Sequence, residues 1–106
     1  MTVLWSAEAQ AQLAAIHEHV AQDAPRDADE LIRRLVDRVI QLETVPHSGR
    51  RVPEYPDNDL RELLSRPYRI IYRQRDEQLE VVTIIHYRQQ LPANPQNLTR
   101  SQSPQR

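Results

Sequence analysis

The side chains best suited to chemistry gather in the second half of the chain. Glu54 stands in a Val-Pro-Glu connector, Arg69 and Arg73 in an alternating apolar run, and His86-Tyr87 at the end of another. A carboxylate or an imidazole can trade protons with a substrate, and histidine is the side chain whose ordinary titration range lies nearest neutrality. Arginine holds phosphate in a planar fork but cannot give up its proton at neutral pH. Each residue also has a plainer reading. A glutamate in such a connector is more often a solvated turn acid or the ion-pair partner of a nearby arginine. Arg69 and Arg73 fit a solvated strand face and a partner-facing one equally well. Tyr68 and Tyr72 read as amphipathic core residues ahead of stacking platforms, and Tyr87 is open to both readings. Metal chemistry finds no support. Cysteine is absent, His17 and His19 fall on different faces of a helix, and His47 sits in a turn. No metal site and no cofactor is expected.

These residues need a scaffold, and 106 residues are enough for one domain with one core. The N-terminus has no basic start followed by a long apolar core, so it does not read as a secretory signal. Apolar runs stop near five residues, as around Val81-Val82 and Ile84-Ile85, far short of a membrane span. A soluble cytoplasmic protein is expected, in which the Asn97-Leu98-Thr99 sequon carries no meaning. All 14 basic residues are arginine. Residues 1–49 hold four arginines and eight acids, and residues 50–106 hold ten arginines and seven acids. The second half is therefore the better candidate for meeting an acidic surface, whether protein or phosphate.

Val3 to Trp5 reads as a short first or edge strand. Ser6 is placed to cap a helix, on which Ala9, Leu13, Ile16 and Val20 share one face. Asp23-Ala24-Pro25 stops it. Asp27 and Glu30 resemble a capping box for a second helix. Leu31, Ile32, Leu35, Val36, Val39 and Leu42 form its broad apolar stripe, with Arg33, Arg34, Asp37 and Arg38 outside. Pro46 ends it. The short link between the helices predicts an antiparallel hairpin. Beyond the connector Arg50–Asp59, three strands are expected at Leu60–Ser65, Tyr68–Arg73 and Leu79–Tyr87, with Arg75 to Gln78 as the last turn. The fold class is α+β: a short N-terminal strand, an antiparallel helical hairpin, and a three-stranded antiparallel sheet. Residues 1–92 form the domain, and 93–106 a polar, loosely ordered tail.

Strict alternation puts Tyr68, Ile70 and Tyr72 on one face of the middle strand and Arg69, Ile71 and Arg73 on the other. In the last strand Leu79, Val81, Thr83, Ile85 and Tyr87 oppose Glu80, Val82, Ile84, His86 and Arg88. Neither face of that strand is polar, as one face of a half-solvated antiparallel strand should be. A single helical hairpin covers one face, so either the tail or a partner chain must cover the other. Arg69, Ile71, Arg73, Val82, Ile84 and Arg88 are the expected partner-binding residues on the second face.

The order of these elements resembles the RelE/ParE superfamily, the toxins of bacterial type II toxin–antitoxin systems. The strings that carry the likeness are LWSAEAQAQLAAIHEHV, GRRVPEYPDNDLREL, YRIIYR and VVTIIHYRQQLP, from residue 3 to about 92. The resemblance implies a cognate ParD-like antitoxin that neutralises the protein by wrapping it. It also implies one of two activities. ParE-type members bind DNA gyrase and cut nothing; RelE-type members cut messenger RNA in the ribosome. GR-x-VPE, LREL-x-x-x-PYRIIYR and the long hairpin lean toward the ParE side, so no catalytic residue is expected. On the RelE side, Glu54 would be the base for the ribose 2′-OH, Arg69 the phosphate clamp, His86 the acid, and Tyr87 an orienting or stacking group. His86 discriminates poorly between the two, because ParE-type members often carry a histidine there. His86 and Tyr87 also point to opposite faces unless the strand has already ended. Absence of lysine departs from RelE members that use it. A third reading is an inactive toxin fold that serves only as a binding partner in a repressor complex.

Overall fold

The computed structural model describes residues 1–99. Strand β1 (Thr2–Trp5) leads into helices α1 (Ala7–Ala21) and α2 (Pro25–Gln41). Strands β2 (Arg50–Arg51), β3 (Arg61–Ser65), β4 (Tyr68–Arg75) and β5 (Gln78–His86) follow. A 3-10 turn spans Pro95–Thr99. One five-stranded sheet runs in the order β1-β5-β4-β3-β2, with β1 parallel to β5 and every other pair antiparallel. The fold is the expected α+β arrangement, widened by the two-residue edge strand β2.

Ser6 joins the first helix to the sheet. Its hydroxyl accepts from the Ala9 amide at 2.9 Å and donates to the Val82 carbonyl at 2.6 Å. Its own amide donates to Val81. The second helix starts earlier than the Asp27–Glu30 pair suggested. Ala24 is the N-cap, without a side-chain bond, and Pro25 opens the helix. Proline suits that position because its missing N–H would have no partner there. Asp27 then sits in the first turn, where the helix dipole favours an acid. The helix ends at Gln41, before Pro46, and its last carbonyls accept from a run of turn amides.

The helices cover one sheet face. Leu31, Leu35, Val39 and Leu42 pack on Leu63, Ile70, Tyr72, Leu79, Val81 and Ile84. Tyr72 is fully buried; its hydroxyl donates to the Pro46 carbonyl and accepts from the Gly49 amide, both at 2.9 Å. Burial pushes its phenol above the ordinary range, so it keeps the proton it donates. The lone glycine is there for space. A Cβ on Gly49 would fall 2.5 Å from the Tyr72 hydroxyl and 2.5 Å from the Glu62 carbonyl oxygen. Asp76 turns the β4–β5 hairpin with a φ of 56°, a left-handed conformation that aspartate tolerates.

Two expectations about the sheet need correction. Ile71 pairs with Thr83 and Tyr72 with Val81, so Val82 is an extra residue, a β-bulge. Beyond the bulge every side chain in β5 changes face. Ile84 packs with the helices and Ile85 on the opposite side. Furthermore, the second face is covered by the chain itself. Val52, Tyr55 and Leu60 from the connector, with Leu91 and Leu98 from the C-terminal segment, enclose Ile71 and Val82 in a second small core. The Tyr55 hydroxyl donates to the Pro92 carbonyl at 2.5 Å and ties the two covering segments together. The tail expected to be loose is therefore docked as far as Thr99, because Leu98 has an apolar site to fill. The remainder of that tail, residues 100–106, lies outside the described residues. Among the described residues no helix is long and apolar enough to cross a membrane.

Candidate functional site

The end of the sheet where β3 turns into β4 opens into a cleft of about 600 Å3. Pro53, Leu64, Pro67, Tyr68 and Tyr87 give it apolar walls, and Arg50, Glu54, Arg66 and Arg69 line it with charge. Leu64 and Tyr87 are 41% and 53% exposed, high for large apolar side chains. Residues of β3 and β4, the connector and the turn after β5 thus converge on one opening.

Arg69 forms the floor, and only 7% of it is exposed. Its Nη1 and Nη2 donate to the two oxygens of Glu54 at 2.9 and 2.8 Å, and its Nε donates to Glu62 at 2.6 Å. The other Glu62 oxygen accepts from Arg50 at 2.5 Å. Arg50, Glu62, Arg69 and Glu54 therefore form an alternating chain of four charges. The Glu62 side chain is wholly buried, and Glu54 is 43% exposed at the mouth of the cleft. The Arg69 hydrogen bonds hold the Glu54 carboxyl below its ordinary range, against a smaller opposing effect of burial. The same bonds hold Arg69 more firmly in its charged form.

Glu54, Arg69 and Tyr87 thus share the cleft, as an RNA-cleaving arrangement would require. Glu54 and Arg69, however, are already committed to each other and to Glu62. A carboxylate stabilised by a forked arginine is a poor proton acceptor. An arginine with its Nε, Nη1 and Nη2 on carboxylates has little to offer a phosphate. His86 stands behind the cleft wall. Its ring meets Tyr68 edge-on at 5.6 Å and stacks on Tyr87 at 4.9 Å. The strand ends at His86, which is why these neighbours lie together instead of facing apart. The Arg88 amide donates to His86 Nδ1 at 3.1 Å, leaving Nε2 as the protonated nitrogen of the neutral ring.

The six residues expected to face a partner are scattered. Ile71 and Val82 lie in the second core, and Ile84 lies beneath the helices. Arg69 is consumed by its carboxylates. The bare apolar face that grouped these residues does not exist, because the chain covers it and the bulge turns Ile84 away. Arg73 pairs with Glu80 at 3.1 Å, and Arg88 is exposed beside the Tyr87 ring.

The model of the family described as the ParE toxin of type II toxin–antitoxin systems, parDE, matches residues 3–91. The chain belongs to that family. Among solved structures, this ParE toxin is similar to a chain of the chromosomal ParDE toxin–antitoxin system from P. aeruginosa. Identity is 26% and the TM-score 0.68, over 81% of this chain and 95% of that one. No curated protein matches in sequence. The toxin's charged chain had one legible half: Glu54 beside a nearby arginine was the plainer reading, and it is the geometry found. Glu62 and Arg50 were missed. The signal was a glutamate inside the apolar β3 run, set diagonally from Arg69 across the strand pair, since Leu64 lies opposite Arg69 and Glu62 opposite Ile71.

Proposed function

We propose that this ParE toxin inhibits DNA gyrase in the cytoplasm and is held inactive by a cognate ParD-like antitoxin. The observation that carries the reading is the Glu54–Arg69–Glu62 arrangement. It occupies the base and the phosphate clamp that a ribosome-dependent mRNA endonuclease would need, and it supports a toxin that acts by binding. The family match and the likeness to a chain of a ParDE system support the antitoxin as partner.

The test is a gyrase supercoiling reaction with purified protein, run beside a translating ribosome with end-mapped message. Loss of supercoiling without new RNA ends, reversed by the antitoxin, is the expected result. New ends within codons, abolished by His86→Ala or Glu54→Gln, would replace it with the endonuclease reading. No effect in either reaction, with harmless expression in cells, would leave an inactive toxin fold that serves only in a complex.

A further inference from the structure

We propose that the antitoxin's toxin-binding segment lies across a bipolar groove centred on Pro67 and Tyr68. It would set an acidic residue against Arg66 and a basic residue against Asp27 and Glu30. The proposal rests on the reading of this protein as an antitoxin-neutralised toxin.

The cleft at the sheet end has a neighbour. A second cleft, of about 360 Å3, lies between the helical hairpin and the sheet, where Val20, Leu31, Asp27, Glu30 and Arg34 line it. Pro67 and Tyr68 line both clefts, so the two meet at one wall. A segment crossing that wall finds apolar surface on each side: Leu64 and Tyr87 on one, Val20 and Leu31 on the other. The ends differ in charge. At the sheet end, Arg50, Arg66 and Arg69 outweigh Glu54 and Glu62 by one positive charge. Most of that end is internally compensated, and Arg66 is the exposed cation with no side-chain partner among the described residues. At the helical end, Asp27 and Glu30 outweigh Arg34 by one negative charge, and none of the three has a side-chain partner among the described residues. Such a surface selects an amphipathic segment of opposite polarity, seated by its apolar side chains and oriented by its two charged ends. The sheet face is a poor alternative, because reaching Ile71 and Val82 means displacing the chain's own cover.

The experiment measures binding of a purified cognate ParD-like antitoxin to the full toxin chain at two salt concentrations. Arg66→Glu and Glu30→Lys each reverse an exposed charge at one end of the groove. Each should weaken the complex about tenfold, chiefly through slower association, and each should change its salt dependence. Arg75→Glu, at the far hairpin, should leave the affinity unchanged. Wild-type binding that neither groove variant disturbs would overturn the inference and leave the antitoxin reading standing. Failure of the wild-type toxin to bind, while it still arrests growth, would sink the antitoxin reading and the inference with it. Variants that keep the antitoxin but lose gyrase inhibition would assign the groove to gyrase. Variants that break up a self-associated toxin would assign it to a second copy. Either result refutes the proposal.

Discussion

Replacing Arg69 by methionine should cost about 3 kcal/mol of folding stability. The Glu62 side chain is wholly buried and Arg69 nearly so, and removing one partner of such a pair leaves a charge stranded, typically at about 3–5 kcal/mol. The low end applies because Arg50 still reaches the other Glu62 oxygen from the solvent side. Methionine fills much of the arginine stem, so little cavity is added. Glu54→Gln should cost only about 1 kcal/mol, since Glu54 is far more exposed. In the double variant the Glu54 change should add almost nothing, because its benefit runs through Arg69. Urea unfolding of the four proteins measures this as shifts in midpoint at constant slope. An Arg69→Met cost below about 1 kcal/mol, or a Glu54→Gln cost as large as that of Arg69→Met, would refute a buried pair with Glu62 at its centre. The result also decides which variant is a fair probe of catalysis. Arg69→Ala confounds lost chemistry with lost stability, whereas Glu54→Gln tests chemistry at little cost to the fold.

Glu54 also sets a pH dependence. Its folded-state carboxyl is held below the ordinary value of 4.5, so its contribution is complete above that pH and lost as pH falls through the lower folded value. Glu54→Gln should therefore flatten part of the acid limb of stability, measured between about pH 5 and pH 3. Gly49→Ala should destabilise by roughly 2–3 kcal/mol, because backbone and a buried ring meet the added methyl and neither yields easily; thermal unfolding checks it. Leu98→Ala should cost about 2–4 kcal/mol and speed amide exchange in the connector over the second core, whereas a truly loose segment would show neither effect. Tyr55→Phe should cost about 1 kcal/mol by removing its bond to Pro92.

The helices and strands were legible because their apolar spacing is regular. Ala9, Leu13, Ile16 and Val20 do face the core, and Tyr68, Ile70 and Tyr72 do share the helical side. Three features had no such signal. A bulge inserts one residue without altering composition, so nothing in Val81-Val82-Thr83-Ile84 marks where alternation breaks. Strand β2 is two arginines long, below any periodicity. The second core is assembled from Val52, Tyr55, Leu60, Leu91 and Leu98, single apolar residues spaced through polar, proline-rich stretches. Each alone reads as incidental, and together they matter only because the sheet brings them over Ile71 and Val82. The charged chain was half legible for a related reason. Ion pairing of Glu54 needs only a nearby arginine, but its reach to Glu62 depends on the β3–β4 register.

That self-made cover changes what a partner is for. A sheet with one bare apolar face would need an antitoxin simply to keep its fold, and its binding site would be that face. Here Ile71 and Val82 are already enclosed, so that face does not itself call for a partner, and a site elsewhere on the surface is favoured. Around the two clefts the exposed surface is uneven: Leu64 and Tyr87 at one cleft, Arg66 beside them, and Asp27 and Glu30 across the Pro67–Tyr68 wall. Recognition built on such features is steered by charge. It should weaken as salt rises, because the rim pairs are exposed and screened over about 8–10 Å. A partner seated on a purely apolar face would be nearly indifferent to salt, or bind more tightly in kosmotropic salts. The sign of the salt effect on toxin–antitoxin affinity therefore separates the two modes before any residue is changed. Tighter binding at high salt would mean that the chain's own cover opens to admit the antitoxin.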